Sequence, residues 1–156
     1  MKNLIFLFLI IAPLGVAAQD SAKMEVQKTI QEFFEGFHKQ DSLKIKTTVS
    51  DNIVMQTIAM NESGNNEVKT QGFSDFLKRI VGIPKTTKFE EIIKDYSIQI
   101  DGPMANAWTP YEFRIDDSFH HCGVNSFQLV KDSEKGWQIV YIIDTRRKES
   151  CDRKID

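Results

Sequence analysis

Apolar residues recur with two different periods along this chain, and the change of period divides it. Over residues 22–39 Val26, Ile30, Phe33, Phe34 and Phe37 form one stripe at helical spacing, with Ser21 placed to cap the start. Asp41 or Ser42 then caps a short second helix carrying Leu43 and Ile45. Ile53, Met55 and Ile58 open a strand, and residues 61–66 form a polar turn. A third helix is predicted over 72–83, capped by Ser74, with Phe76, Leu77, Ile80 and Val81 on its apolar face and Gly82 and Pro84 to stop it. Beyond that point alternation takes over. Strands are predicted at 88–100, 104–115, 118–131 and 137–147, joined by Gly102-Pro103, Asp116-Asp117 and the segment 132–136. Helices first and long antiparallel strands afterwards predict an α+β fold.

The N-terminus has a different character. A short positive start precedes an almost unbroken apolar run from Leu4 to Val16, and Val16-Ala17-Ala18 supplies small residues where a signal peptidase cleaves. The run falls short of the roughly 20 residues that span a bilayer. Residues 1–18 are therefore expected to be a signal peptide, with 19–156 forming one domain of an exported, periplasmic or secreted protein. No cysteine stands near the cleavage point, so no lipid anchor is expected there, nor any membrane anchor after cleavage.

The formal charge of −2 offers no basic footprint for nucleic acid. The one dense basic cluster, Arg146-Arg147-Lys148, is diluted by Glu149 and Asp152. The chain carries no phosphate loop, dinucleotide fingerprint or nucleophile elbow, and no cofactor is expected. Cys122 and Cys151 are the only cysteines. They are too few for a disulfide framework, but an exported protein could join them as a single bridge.

Two of the three histidines stand beside one cysteine in His120-His121-Cys122. Strand alternation sends neighbours to opposite faces, which argues against a metal site there. With Asp116-Asp117 as a two-residue hairpin loop, Ile115 faces Ser118, Glu112 faces His121, Pro110 faces Gly123 and Trp108 faces Asn125. With Lys131 opposite Trp137, Asn125 faces Ile143 and Phe127 faces Tyr141. One face then collects Trp108, Glu112, His121, Asn125, Phe127, Tyr141 and Ile143, with Arg147 farther along it. That is an apolar wall with a few convergent polar groups. The other face collects Tyr111, Phe113, His120, Cys122, Val124 and Val140. On this register Glu112 and His121 form a candidate catalytic pair for proton transfer, or a structural cross-strand pair. Trp108, Asn125, Phe127, Tyr141, Ile143 and Arg147 are candidate ligand contacts. The register is fragile: a bulge near Pro110 or Gly123 would exchange the faces.

The Phe-rich first helix, the segment 39–55 and the stretch "WTPYEFRIDDSFHHCGVNSFQLVKDSEKGWQIVYIIDTRR" resemble the nuclear transport factor 2-like superfamily, which includes SnoaL-like and ketosteroid isomerase-like proteins. Within it they are similar to a bacterial branch called lumazine-binding-like. The resemblance spans roughly residues 22–147. It implies a curved antiparallel sheet wrapped around the N-terminal helices into a cone (a cystatin-like roll) with a pocket at its wide end. The superfamily's steroid isomerases use a carboxylate base and a tyrosine–acid oxyanion hole, but no residue here matches those positions. Three functions follow as expectations: an exported binder of an unknown small molecule, an isomerase, dehydratase or hydrolase working through Glu112 and His121, or a homodimeric interaction module.

Overall fold

The computed structural model describes residues 14–151, with side chains from residue 19 onward. The leader expected over residues 1–18 lies outside the described residues, apart from the helical backbone of 14–18. Helix α1 (Leu14–Lys39) begins earlier than the stripe predicts, and helix α2 (Ser42–Thr47) follows it. Strands β1 (Val49–Met60) and β2 (Asn66–Gln71) form a hairpin, and helix α3 (Phe73–Gly82) follows. Strands β3 (Phe89–Ile93), β4 (Ser97–Asp101), β5 (Met104–Ile115), β6 (Ser118–Asp132) and β7 (Gly136–Thr145) complete the chain. The element pattern is α+β, as the periodicities predict.

The Phe-rich stripe of α1 is buried along its length, from Val26 and Ile30 at 0% exposure to Phe37 at 9%. Asp41 caps α2 by accepting the backbone N–H groups of Leu43 and Lys44, each at 3.0 Å. Ser74 does not cap α3, because the helix starts at Phe73 and its N-cap is Gly72, with no side-chain cap bond. The single strand expected over 88–100 is interrupted around Asp95 and becomes β3 and β4. Both pair with β5, which is long enough to carry the two in succession.

The sheet order is β2-β1-β7-β6-β5-β3, with β4 also on β5. All pairs are antiparallel except β1 with β7. The helices pack on one face of this sheet, where Ala105, Ala107, Phe127, Leu129, Ile139 and Ile142 join the α1 stripe in one core.

Two bulges reset the register that strict alternation predicts. The Asp116-Asp117 hairpin forms as expected, with both residues at positive φ (48° and 62°), the conformation of a tight hairpin turn. Arg114 then pairs with Phe119, but Phe113 pairs with His121, so His120 is the extra residue. From there Glu112 faces Cys122, Thr109 faces Asn125 and Trp108 faces Ser126. Between β6 and β7 the expected Lys131–Trp137 pair is present, but the pairing slips between Leu129–Ile139 and Gln128–Tyr141. Asn125 consequently faces Asp144, and Phe127 faces Ile142. Each extra residue reverses the facing of everything beyond it.

Past β7 the backbone stays against β6: Cys122 and Arg147 exchange N–H···O bonds, both 2.9 Å. A disulfide joins Cys122 to Cys151 and pins this tail. Among the described residues, no helix is long and apolar enough to cross a membrane.

Candidate functional site

The concave face of the sheet and the helices above it enclose a cavity of about 540 Å³. That lies within the range of small-molecule sites, roughly 300–1,000 Å³. Phe34 and Phe37 of α1, Phe76, Ile80 and Ile83 from α3 and the residue just past it, and Met55, Phe89 and Ile142 of the sheet give it apolar walls. The polar groups lie in successive rows of the sheet. In one row Thr57, Asp144 and Asn125 are neighbours across β1, β7 and β6. Tyr111 stands opposite Gly123, and Glu91, Phe113 and His121 form another row across β3, β5 and β6.

Glu91 is tied down from two sides. Its backbone N–H donates to His38 Nε2 at 2.9 Å, which fastens the edge strand to α1. Asn125 Nδ2 donates to its Oε1 at 2.7 Å. Burial, reinforced by the nearby negative charge of Asp144, pushes the Glu91 carboxyl from 4.5 up to about 8, against the pull of Asn125 and Arg146. The side chain is thus mainly protonated at neutral pH.

Asp144 is in contact with a cation. Arg146 Nε donates to its Oδ2 at 2.7 Å, and the Tyr111 hydroxyl lies 3.3 Å from the same oxygen and 3.0 Å from the Thr145 carbonyl. Burial raises the Tyr111 phenol well above its ordinary value, so it acts only as a neutral donor. His121 stacks against Phe113, with ring centres 4.9 Å apart. Burial first, then the positive charge of Arg146, lowers its pKa from 6.5 to about 4, so its ring is neutral at physiological pH.

Tyr111 reaches Asp144 because Gly123 has no side chain. A Cβ at that position would lie 1.8 Å from the Thr145 carbonyl oxygen and 2.8 Å from the Tyr111 ring and hydroxyl. Strand-interior glycines commonly mark such a close approach.

Two polar atoms in the cavity wall have no partner. Thr57 Oγ1 and Gln71 Nε2 are buried and make no hydrogen bond. A buried polar group left unpaired costs about 1–3 kcal/mol, a cost that a ligand oxygen would remove.

Of the residues singled out from sequence, His121 and Asn125 line the cavity. Glu112 does not join them. The His120 bulge turns it to the outer face, where it pairs with Arg114 Nε at 2.5 Å and Lys94 Nζ at 3.1 Å. The Glu112–His121 pair is therefore absent. Trp108 is on the outer face for the same reason and is 45% exposed. The second bulge leaves Tyr141 and Ile143 on that face too, where the Tyr141 hydroxyl donates to Gln56 Oε1 at 2.6 Å. Phe127 points inward but sits below the cavity, at 0% exposure against Phe33 and Phe34. Arg147 is occupied with the Cys122 backbone and the Ser150 carbonyl, and Arg146 takes the cavity position. Both His120 and His121 line the cavity, because the extra residue removes the alternation that would separate them. Their Nδ1 atoms lie 2.8 Å apart.

Sequence reasoning passed over Glu91, Thr57, Gln71 and Arg79, and it assigned Tyr111 and Phe113 to the opposite face. Gly123 within a strand was the available signal, since it points to a bulge or a close approach near Tyr111.

This fold is similar to proteins of known structure. A protein of unknown function from Mycobacterium tuberculosis superposes with a TM-score of 0.71 at 13% identity, covering 93% of this chain and 83% of that one. An NTF2-like protein with a cystatin-like fold from Novosphingobium aromaticivorans superposes with a TM-score of 0.67 at 11% identity, covering 91% and 94%. The chain has the NTF2-like fold. A third protein, NTF2-like, from Streptomyces avermitilis and provisionally assigned as a dehydratase, matches with a TM-score of 0.62 at 13% identity, covering 83% and 98%. No protein-family model matches the chain, and no curated protein does either. The lumazine-binding-like branch thus finds no support beyond the resemblance itself. In this chain the cavity lies between α1 and α3 on one side and the concave sheet on the other, and a role in ligand binding or catalysis fits it.

The raised Glu91 pKa has a consequence for stability. The folded state holds this proton more tightly than the unfolded chain does. The resulting stabilisation is complete below pH 4.5 and is lost as the pH rises to about 8. Glu91→Gln stays neutral throughout and can still accept from Asn125. The variant should match the wild type at pH 4 and be more stable by roughly 4 kcal/mol at pH 8. His121 titrates in the opposite sense between its ordinary 6.5 and about 4, but it does so in both proteins. Urea denaturation of the pair across this range measures the difference.

Proposed function

We propose that this protein binds a small, largely apolar molecule carrying an oxygen function, inside the cavity and after export. The observation that carries this reading is an apolar cavity into which Glu91, Asn125 and Tyr111 converge, with Thr57 and Gln71 left unpartnered in its wall. A carbonyl or hydroxyl oxygen would accept from Gln71 or from the protonated Glu91. The aromatic rings and aliphatic chains would enclose the rest. The apolar leader and the Cys122–Cys151 bridge support export, because disulfides persist in oxidising compartments.

Melting of the mature protein against a metabolite panel tests this, run in parallel with Thr57→Val and Asn125→Leu. A ligand that raises the wild-type melting point by several degrees and the variants' by much less is the expected result. Equal shifts in all three proteins would place binding elsewhere.

One observation favours catalysis as a second reading. A carboxyl titrating near 8 is matched to proton transfer at neutral pH. Tyr111 and Asn125 stand beside it to hold an oxygen in place. Glu91, rather than Glu112, is then the acid or base of an isomerase or dehydratase. In that case Glu91→Gln keeps the ligand-induced melting shift and abolishes turnover of the same compound. Retained turnover would leave a binding protein.

A further inference from the structure

The charged groups of the cavity wall do not balance, and the imbalance bears on the ligand. Asp144 is matched by Arg146 at 2.7 Å. Glu91 is buried, hydrogen-bonded to Asn125 and mainly protonated at neutral pH. His121 is neutral there. Arg79, also in the wall, forms no ion pair or hydrogen bond with any described residue. The lining therefore holds two arginines, of which Arg146 has a carboxylate partner and Arg79 has none among the described residues. The unmatched guanidinium rises from the most apolar part of the wall, next to Ile80 and within one turn of Phe76 and Ile83. A lone cation flanked by aromatic and aliphatic side chains matches an amphiphile whose charged group sits at the end of an apolar body.

We propose that the ligand is an apolar monocarboxylate whose carboxylate is held by Arg79 while its body lies against Phe76, Ile80 and Ile83. This rests on the small-molecule reading above and names the class of molecule. A guanidinium meets a carboxylate through two parallel N–H···O bonds. One such group suits a monoanion. A phosphate ester would call for several cations or a cradle of backbone N–H groups.

Isothermal titration at low salt provides the test. The probes are decanoate and 2-naphthoate, each against its uncharged counterpart, decanamide and 2-naphthamide. The wild type should bind at least one carboxylate about tenfold more tightly than its amide, in line with a charged hydrogen bond worth about 1.5–3 kcal/mol. Arg79→Gln should remove that preference and leave amide affinity unchanged, and Arg79→Lys should restore part of it. Added salt should weaken the carboxylate only. Arg79 is exposed on α3 and glutamine is a good helix former, so these variants should fold as the wild type does. If carboxylate and amide bind equally, or Arg79→Gln weakens both alike, the anion assignment falls and the small-molecule reading stands. If no probe binds the wild type, the monocarboxylate proposal is overturned, and the metabolite panel then decides the broader reading.

Discussion

Gly123→Ala is expected to cost roughly 3–5 kcal/mol, enough to leave much of the protein unfolded at ordinary temperatures. The added methyl would sit 1.8 Å from the Thr145 carbonyl oxygen, which is backbone and cannot swing away. Relief requires β6 and the end of β7 to separate. That separation would weaken the Tyr111 bonds to Thr145 and Asp144, and the Val124 N–H bond to Thr145 Oγ1 at 3.2 Å. Tyr111→Ala would clear the ring contact but not the carbonyl, so the double variant should recover little. Denaturant melts of both variants measure this. A Gly123→Ala protein within about 2 °C of the wild type would mean that β6 and β7 do not approach as closely as described.

Cys151→Ser should cost about 3.5 kcal/mol. The bridge closes a loop with a sequence separation of 29, and in the chain-entropy account a loop of that size stabilises by this amount. Reduction of the wild type should cost the same. The effect should also extend to the cavity, because the tail that carries Arg146 is held against β6 by the Cys122–Arg147 pairing and by the disulfide. Freed of the bridge, Arg146 would spend less time on Asp144, and any ligand that depends on that wall would bind less tightly. Cys151 is the better position to change, since Cys122 is only 2% exposed and a serine there would leave a buried hydroxyl. A loss below about 1 kcal/mol, in the variant and the reduced protein alike, would contradict the role given to the bridge.

The architecture was legible in the sequence because period and turn chemistry are local properties. The α1 stripe buries as its spacing predicts, and Asp116-Asp117 turns where two consecutive acidic residues between alternating strands say it should. The site was much less legible. Facing along a long strand is a cumulative count, and one extra residue at His120 and another between Ile139 and Tyr141 reverse it. Neither position carries a glycine or proline to mark the slip. Glu91 lies in "KFEEIIKD", where a glutamate reads as solvent-exposed, and only the pairing of β3 with the inner face of β5 turns it into the cavity. Thr57 and Gln71 carry no mark in the sequence either, because only the pairing of β1 with β2 and β7 sets them in the cavity wall. His121 and Asn125 were reached through a register that misplaced their partners. They remain on the inner face because both stand on β6 an even number of residues apart.

The Glu91 carboxyl is held desolvated and mainly protonated in a cavity shaped for a small molecule. Carbon-13 NMR titration of the glutamate carboxyls, with Glu91→Gln for assignment, tests this. One glutamate resonance should titrate with a midpoint near pH 8 and be absent from the variant. If every glutamate titrates below about pH 5, as solvated carboxylates do, Glu91 is open to water and the cavity is not the proton-holding site described.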